Sequence, residues 1–99
     1  MAKRNPLQQT KHDKKVKMTA QQHERQGWDV KADLPGHKRP APIGKDKRVP
    51  DVEALKRGRR RIVEIETPEK VKADKGQHAT FRRHAAHKEN TKFRIEVAK

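Results

Sequence analysis

The stretch Asp51–Glu66, DVEALKRGRRRIVEIE, decides the fold. Two runs in which apolar and charged residues alternate, Asp51 to Leu55 and Arg61 to Thr67, flank a short basic connection containing Gly58. Alternation with a period of two marks a strand with one face buried, and a glycine in a short polar link marks a hairpin. With an even turn, of two or four residues, Asp51 and Glu53 fall on the same face as Glu64 and Glu66. Val52 and Ala54 then meet Val63 and Ile65 on the other face, which makes a core. An odd turn without a bulge breaks that registry. Four like charges on neighbouring strands repel, and a divalent cation or basic side chains relieve the repulsion. Carboxylate and carbonyl oxygens suit Mg²⁺ or Mn²⁺, ions that bind a scissile phosphate and lower the pKa of a water nucleophile.

Upstream, Trp28, Val30, Ala32 and Leu34 alternate with Asp29, Lys31 and Asp33 until Pro35-Gly36, which predicts another half-buried strand. Residues from about Val16 to Gln26 are good helix formers ended by Gly27, and residues 1–12 read as a frayed basic tail. Downstream, Thr67-Pro68-Glu69 stops the hairpin's second strand. Asp74 and Gln77 then fit a capping box for a helix running to about Lys88, with Gln77, Phe81, His84 and Ala85 on one face. Phe93, Ile95 and Val97 alternate with charged residues in a last strand. The order is helix, strand, strand, strand, helix, strand: an α+β chain with a single small domain over residues 13–99. Residues 35–50, with four prolines and two glycines, form the longest connection, and a loop of that length is usually functional or disordered.

The composition fits a polyanionic partner. Lys and Arg number 27 against 13 Asp and Glu, a formal charge of +14. Both halves are basic, so the charge is no mere tail, and counterion release draws such a chain to phosphate backbones. Only 29% of residues are hydrophobic, and low hydrophobicity with high charge is also the signature of disorder, which the alternating strands argue against. The absence of cysteine excludes disulfides, a thiolate nucleophile and Cys-ligated zinc. No run has the length of a membrane span and no apolar segment follows the basic N-terminus, so a cytoplasmic protein without a membrane partner is expected.

The hairpin and its surroundings resemble the PD-(D/E)xK nuclease superfamily, through Val49-Pro50-Asp51, twelve intervening residues, and Glu64-Ile65-Glu66, over roughly residues 16–98. The resemblance implies a restriction-endonuclease-like αβββαβ core with a mixed four-stranded sheet. It also implies Asp51 and Glu64 as metal ligands, with the Ile65 carbonyl as a third, and Mg²⁺ or Mn²⁺ as cofactor. The family's lysine is replaced here by Glu66, as in some restriction enzymes of the superfamily, and Lys70 or Lys72 is placed to supply a migrated amine. Gln77-His78-Ala79-Thr80-Phe81 is similar to the Q-x-x-x-Y element of RecB-like nucleases. Glu24 is placed like the N-terminal glutamate of archaeal Holliday-junction resolvases.

The expectation is therefore a nucleic-acid-binding protein, a metal-dependent endonuclease acting on DNA, with Lys38, Arg39, Lys45, Lys47, Arg48, Arg59, Arg60 and Arg61 on the phosphate backbone. The alternatives are a non-catalytic basic DNA- or RNA-binding protein and a subunit of a nucleoprotein complex. A homodimer would clasp two strands and add burial to a thin core. Gly44-Lys45-Asp46-Lys47-Arg48 lacks the spacing of a P-loop. Trp28, Phe81 and Phe93 read as core, because so few aromatics make no stacking platform.

Overall fold

The turn between the hairpin strands holds two residues, Arg57 and Gly58, both at positive φ (49° and 79°), in the computed structural model. Two such residues make the tight connection whose twist matches that of the flanking strands. The turn is even, so Lys56 pairs with Arg59, Val52 with Val63 and Glu53 with Ile62. Asp51, Glu53, Glu64 and Glu66 accordingly share one face of the sheet, and Val52, Ala54, Val63 and Ile65 the other.

The structure describes residues 6–44, 47–67 and 75–98. They form α1 (Pro6–Arg25), β1 (Asp29–Ala32), β2 (Val52–Lys56), β3 (Arg59–Glu66), α2 (Lys75–Ala86) and β4 (Thr91–Val97). The sheet runs β1-β2-β3-β4, with β1, β2 and β3 antiparallel in succession and β4 parallel to β3. Parallel neighbours need a crossover, which α2 provides. The result is a single α+β domain with the αβββαβ layout and a mixed four-stranded sheet.

Each face of the sheet has its own small core. Val16 and Ala20 of α1 pack with Ala32, Val52, Val63, Ile65 and Ala98. On the other face Phe81 of α2 meets Ile62 and Ile43, with Phe93 half-buried beside them. The long connection contributes to this second core, because Ile43 pairs with Arg48 across a small turn and is buried against α2. Gly44 lies so close to α2 that a Cβ there would stand 2.8 Å from the Thr80 methyl.

The expected tail is corrected over residues 6–12, which belong to α1 from Pro6 onward, while residues 1–5 lie outside the described residues. Proline is favoured at the first helical position, since its missing N–H has no partner to lose there. What ties this first half of α1 down is a polar residue, buried His12, so it has no apolar stripe to read. The first strand is also shorter than the Trp28–Leu34 alternation, although Leu34 packs against the core and the Asp33 amide donates to the Asp51 carbonyl at 3.0 Å.

Candidate metal centre

The acidic end of β3 is where the sheet, α2 and α1 converge. The Ile65 amide donates to Asp51 Oδ2 at 2.8 Å, and the Asp51 amide donates to Glu64 Oε1 at 3.1 Å. These backbone bonds fix both carboxylates without adding a positive charge. Gln77, in the first turn of α2, donates through Nε2 to Glu64 Oε2. Glu64 is only 1% exposed. Its burial, and then the Asp51 carboxylate beside it, push the Glu64 carboxyl up to about 10, so it holds a proton at neutral pH.

Glu66 is equally buried and lies 3.3 Å from His78 Nε2 on α2. One carboxylate oxygen from each of Glu64 and Glu66 and one ring nitrogen of His78 all lie within 4.8 Å of one another. Atoms this near one another are placed to be drawn onto a single ion, whose bonds to oxygen or nitrogen are about 2.1 Å long. The donor set and the proton-holding Glu64 both fit a cation, since a divalent ion would take the place of that proton. This buried group has the composition to hold a metal ion.

The sheet and helices bring together Asp51, Glu64, Glu66 and Gln77 from the sequence-expected set. Ile65 takes part through its amide. Glu24 is not with them: it is exposed on the last turn of α1, 3.6 Å from His37, twelve residues or about 18 Å along the helix from His12. His12 is the α1 residue at the cluster, with Nε2 3.2 Å from Asp51 Oδ2 and Nδ1 3.1 Å from Asp13. Lys70, Lys72 and Lys45 lie outside the described residues. Sequence reasoning missed His12 and His78. His78 was within reach, since it stands beside Gln77 and three residues before Phe81 on the buried side of α2, whereas His12 carries no local signal.

The shared carboxylate face splits into two groups. Glu53, buried, is held by Arg60, whose Nε donates to Glu53 Oε2 at 2.7 Å. Arg60 Nη1 also donates to His84 Nε2 at 2.6 Å. Burial, followed by the Arg60 charge, holds the His84 pKa below the ordinary imidazole value, consistent with a neutral acceptor ring. Arg60 is thus committed to the domain's own acid rather than offered to phosphate. Lys38, Arg39, Lys47 and Arg59 are exposed and Arg48 half-buried, while Arg61 lies over Trp28. Arg39 stands 3.7 Å from Asp33.

Among the described residues no helix is long and apolar enough to cross a membrane. No family model and no curated protein matches the chain.

Proposed function

We propose that the protein is a metal-dependent phosphodiesterase acting on nucleic acid, with DNA favoured by its resemblance to the PD-(D/E)xK nucleases. The observation that carries this reading is the Asp51–Glu64 pair: two carboxylates held against each other by backbone amides. A domain built only to bind phosphate gains nothing from that arrangement. Among the metals, the oxygen-rich set suits Mg²⁺ and the His78 nitrogen leans toward Mn²⁺.

Asp51, Glu64, Glu66 and His78 would hold the ion, which supplies charge neutralisation at the scissile phosphate and an activated water. Gln77 orients Glu64, and the Ile65 amide orients Asp51. His12, in contact with Asp51, is the ring able to hold or pass a proton at the α1 side of the site. Exposed Lys38, Arg39 and Lys47 would place the backbone.

One observation favours the second reading, a non-catalytic nucleic-acid-binding protein with a structural ion. Glu66, at the place of the family's lysine, pairs with His78 and brings no positive charge. Titration of ¹⁵N-labelled protein with Mg²⁺ and Mn²⁺, together with nicking of supercoiled DNA, separates the two. Metal-dependent shifts confined to residues near Asp51, Glu64 and His78, with nicking lost in Asp51→Ala, support the enzyme. Localised shifts without nicking support the structural ion, and absence of any shift removes the metal from both.

A further inference from the structure

Helix α1 covers its face of the sheet only as far as Arg25. Past that point, at the hairpin end, strand alternation leaves Trp28, Lys56, Arg59, Arg61 and Lys92 on the uncovered part of the same face. Trp28 is half-buried, not enclosed. The Arg61 guanidinium lies over its ring, 4.6 Å from the centroid, and the Lys56 ammonium stands 5.9 Å from it. His23 packs edge-on against the indole at 5.8 Å, and its Nε2 receives Arg61 Nη1 at 3.0 Å, which fixes the stack from behind.

Two cavities open beside this indole. One, of about 550 Å³, is lined by Trp28, Arg59, Arg61, Asn90 and Lys92 with Arg60 and Glu89. The other, of about 350 Å³, is lined by Trp28, Lys56, Arg57 and Arg59. Glu89 is the sole acid among these lining residues, so the cations greatly outnumber their internal partners. Partial burial, and after it the neighbouring Arg94, hold the Arg61 pKa below its ordinary value.

We propose that this surface binds an unpaired segment of a nucleic acid strand, a base lodging against Trp28 and the flanking phosphates on Arg57, Arg59 and Lys92. Cations alone would serve a duplex backbone or an acidic peptide equally well. An aromatic ring at the lip of two nucleotide-sized cavities adds something only for a ligand that carries free π-faces as well as phosphates, which is a single strand. The site rests on the nucleic-acid reading above in taking a polynucleotide as ligand, but it does not depend on cleavage. Glu64 lies five residues further along β3, about 17 Å away and on the opposite face.

Trp28 is the only tryptophan and the chain has no tyrosine, so intrinsic fluorescence reports this position alone. The test titrates the full chain in EDTA with a ten-nucleotide oligo(dT), a blunt ten-base-pair duplex, and heparin. The expected result is saturable quenching by oligo(dT) that neither duplex nor heparin reproduces. Anisotropy of labelled oligo(dT) should show binding roughly tenfold weaker in Trp28→Leu, with Trp28→Phe in between. Arg59→Ala and Lys92→Ala should each lower the salt slope by about 1. Equal quenching by heparin or duplex, unchanged affinity in Trp28→Leu and Trp28→Phe, or flat fluorescence with oligo(dT) would each overturn the site. Because binding is read without metal, absence of metal-dependent nicking overturns the phosphodiesterase alone, and failure here overturns this site alone.

Discussion

Asp51 and Glu64 are bound to each other through the main chain: the amide of one feeds the carboxylate of the other, 3.1 Å apart, across the first rung beyond the β2–β3 ladder. The contact therefore forms whenever the hairpin closes in this register, with or without an ion.

Replacing Asp51 by Asn should bring the Glu64 titration down while leaving it above the ordinary carboxylate value. Burial, the first cause of the raised value, persists, whereas the second, the Asp51 charge, is gone. Carboxyl ¹³C shifts followed against pH would read this directly. The same variant should lose at least tenfold in Mn²⁺ affinity. A Glu64 titration unchanged in Asp51→Asn would mean the two carboxylates are not coupled.

Metal-free protein should lose stability as pH rises. Glu64 titrates at about 10 when folded against 4.5 as its ordinary value, so between those limits the folded chain keeps a proton that the unfolded chain has released. Its contribution is complete below the unfolded value and is lost progressively as pH rises toward the folded one, at no more than about 1.4 kcal/mol per pH unit. Urea midpoints in EDTA from pH 5 to 9 should fall accordingly. Saturating Mn²⁺ should flatten the slope, because the ion takes the proton's place.

Arg60→Met should destabilise the domain by roughly 3 kcal/mol, because it strands the buried Glu53 carboxylate. Adding Glu53→Gln should recover much of the loss, since the second change removes the orphaned charge. Chemical denaturation of both single variants and the double variant closes the cycle. Additive losses would show that the ion pair carries no coupling.

Gly44→Ala should cost more than about 1 kcal/mol through two separate effects. The residue sits at φ 78°, where side chains are strained, and its new Cβ meets the Thr80 methyl at 2.8 Å. Gly44→Ala with Thr80→Ser removes that methyl and should recover the steric part only. Full recovery in thermal melts would assign the whole cost to the collision.

The strands were legible because each sets apolar side chains on one face and mostly charged ones on the other, a period of two that Trp28 to Leu34, the two hairpin strands and Phe93 to Val97 all show. The turn's parity then places the four carboxylates. The first half of α1 was illegible because His12 docks it by polar contact with Asp51, which leaves no apolar repeat. The split of the acids was hidden for a related reason. Arg60 reads in sequence as one of three equivalent arginines. Alternation sends it to the carboxylate face and its neighbours Arg59 and Arg61 to the other. Glu24 was misplaced because position on a helix says nothing of which end of the sheet that helix turn overlies.

The two-residue turn at Arg57-Gly58 also orders the assembly of the chain. Among the described strand pairs only β2–β3 joins residues close in sequence; β1 waits on closure of the 33–51 connection and β4 on the crossover through α2. Loop-closure entropy therefore favours the hairpin as the earliest element. Asp51 and Glu64 meet at that stage in open water, where their charges are cheap to hold. Only when α1 and α2 settle on either side is that water expelled, and the uptake of a proton or an ion belongs to this late step of folding.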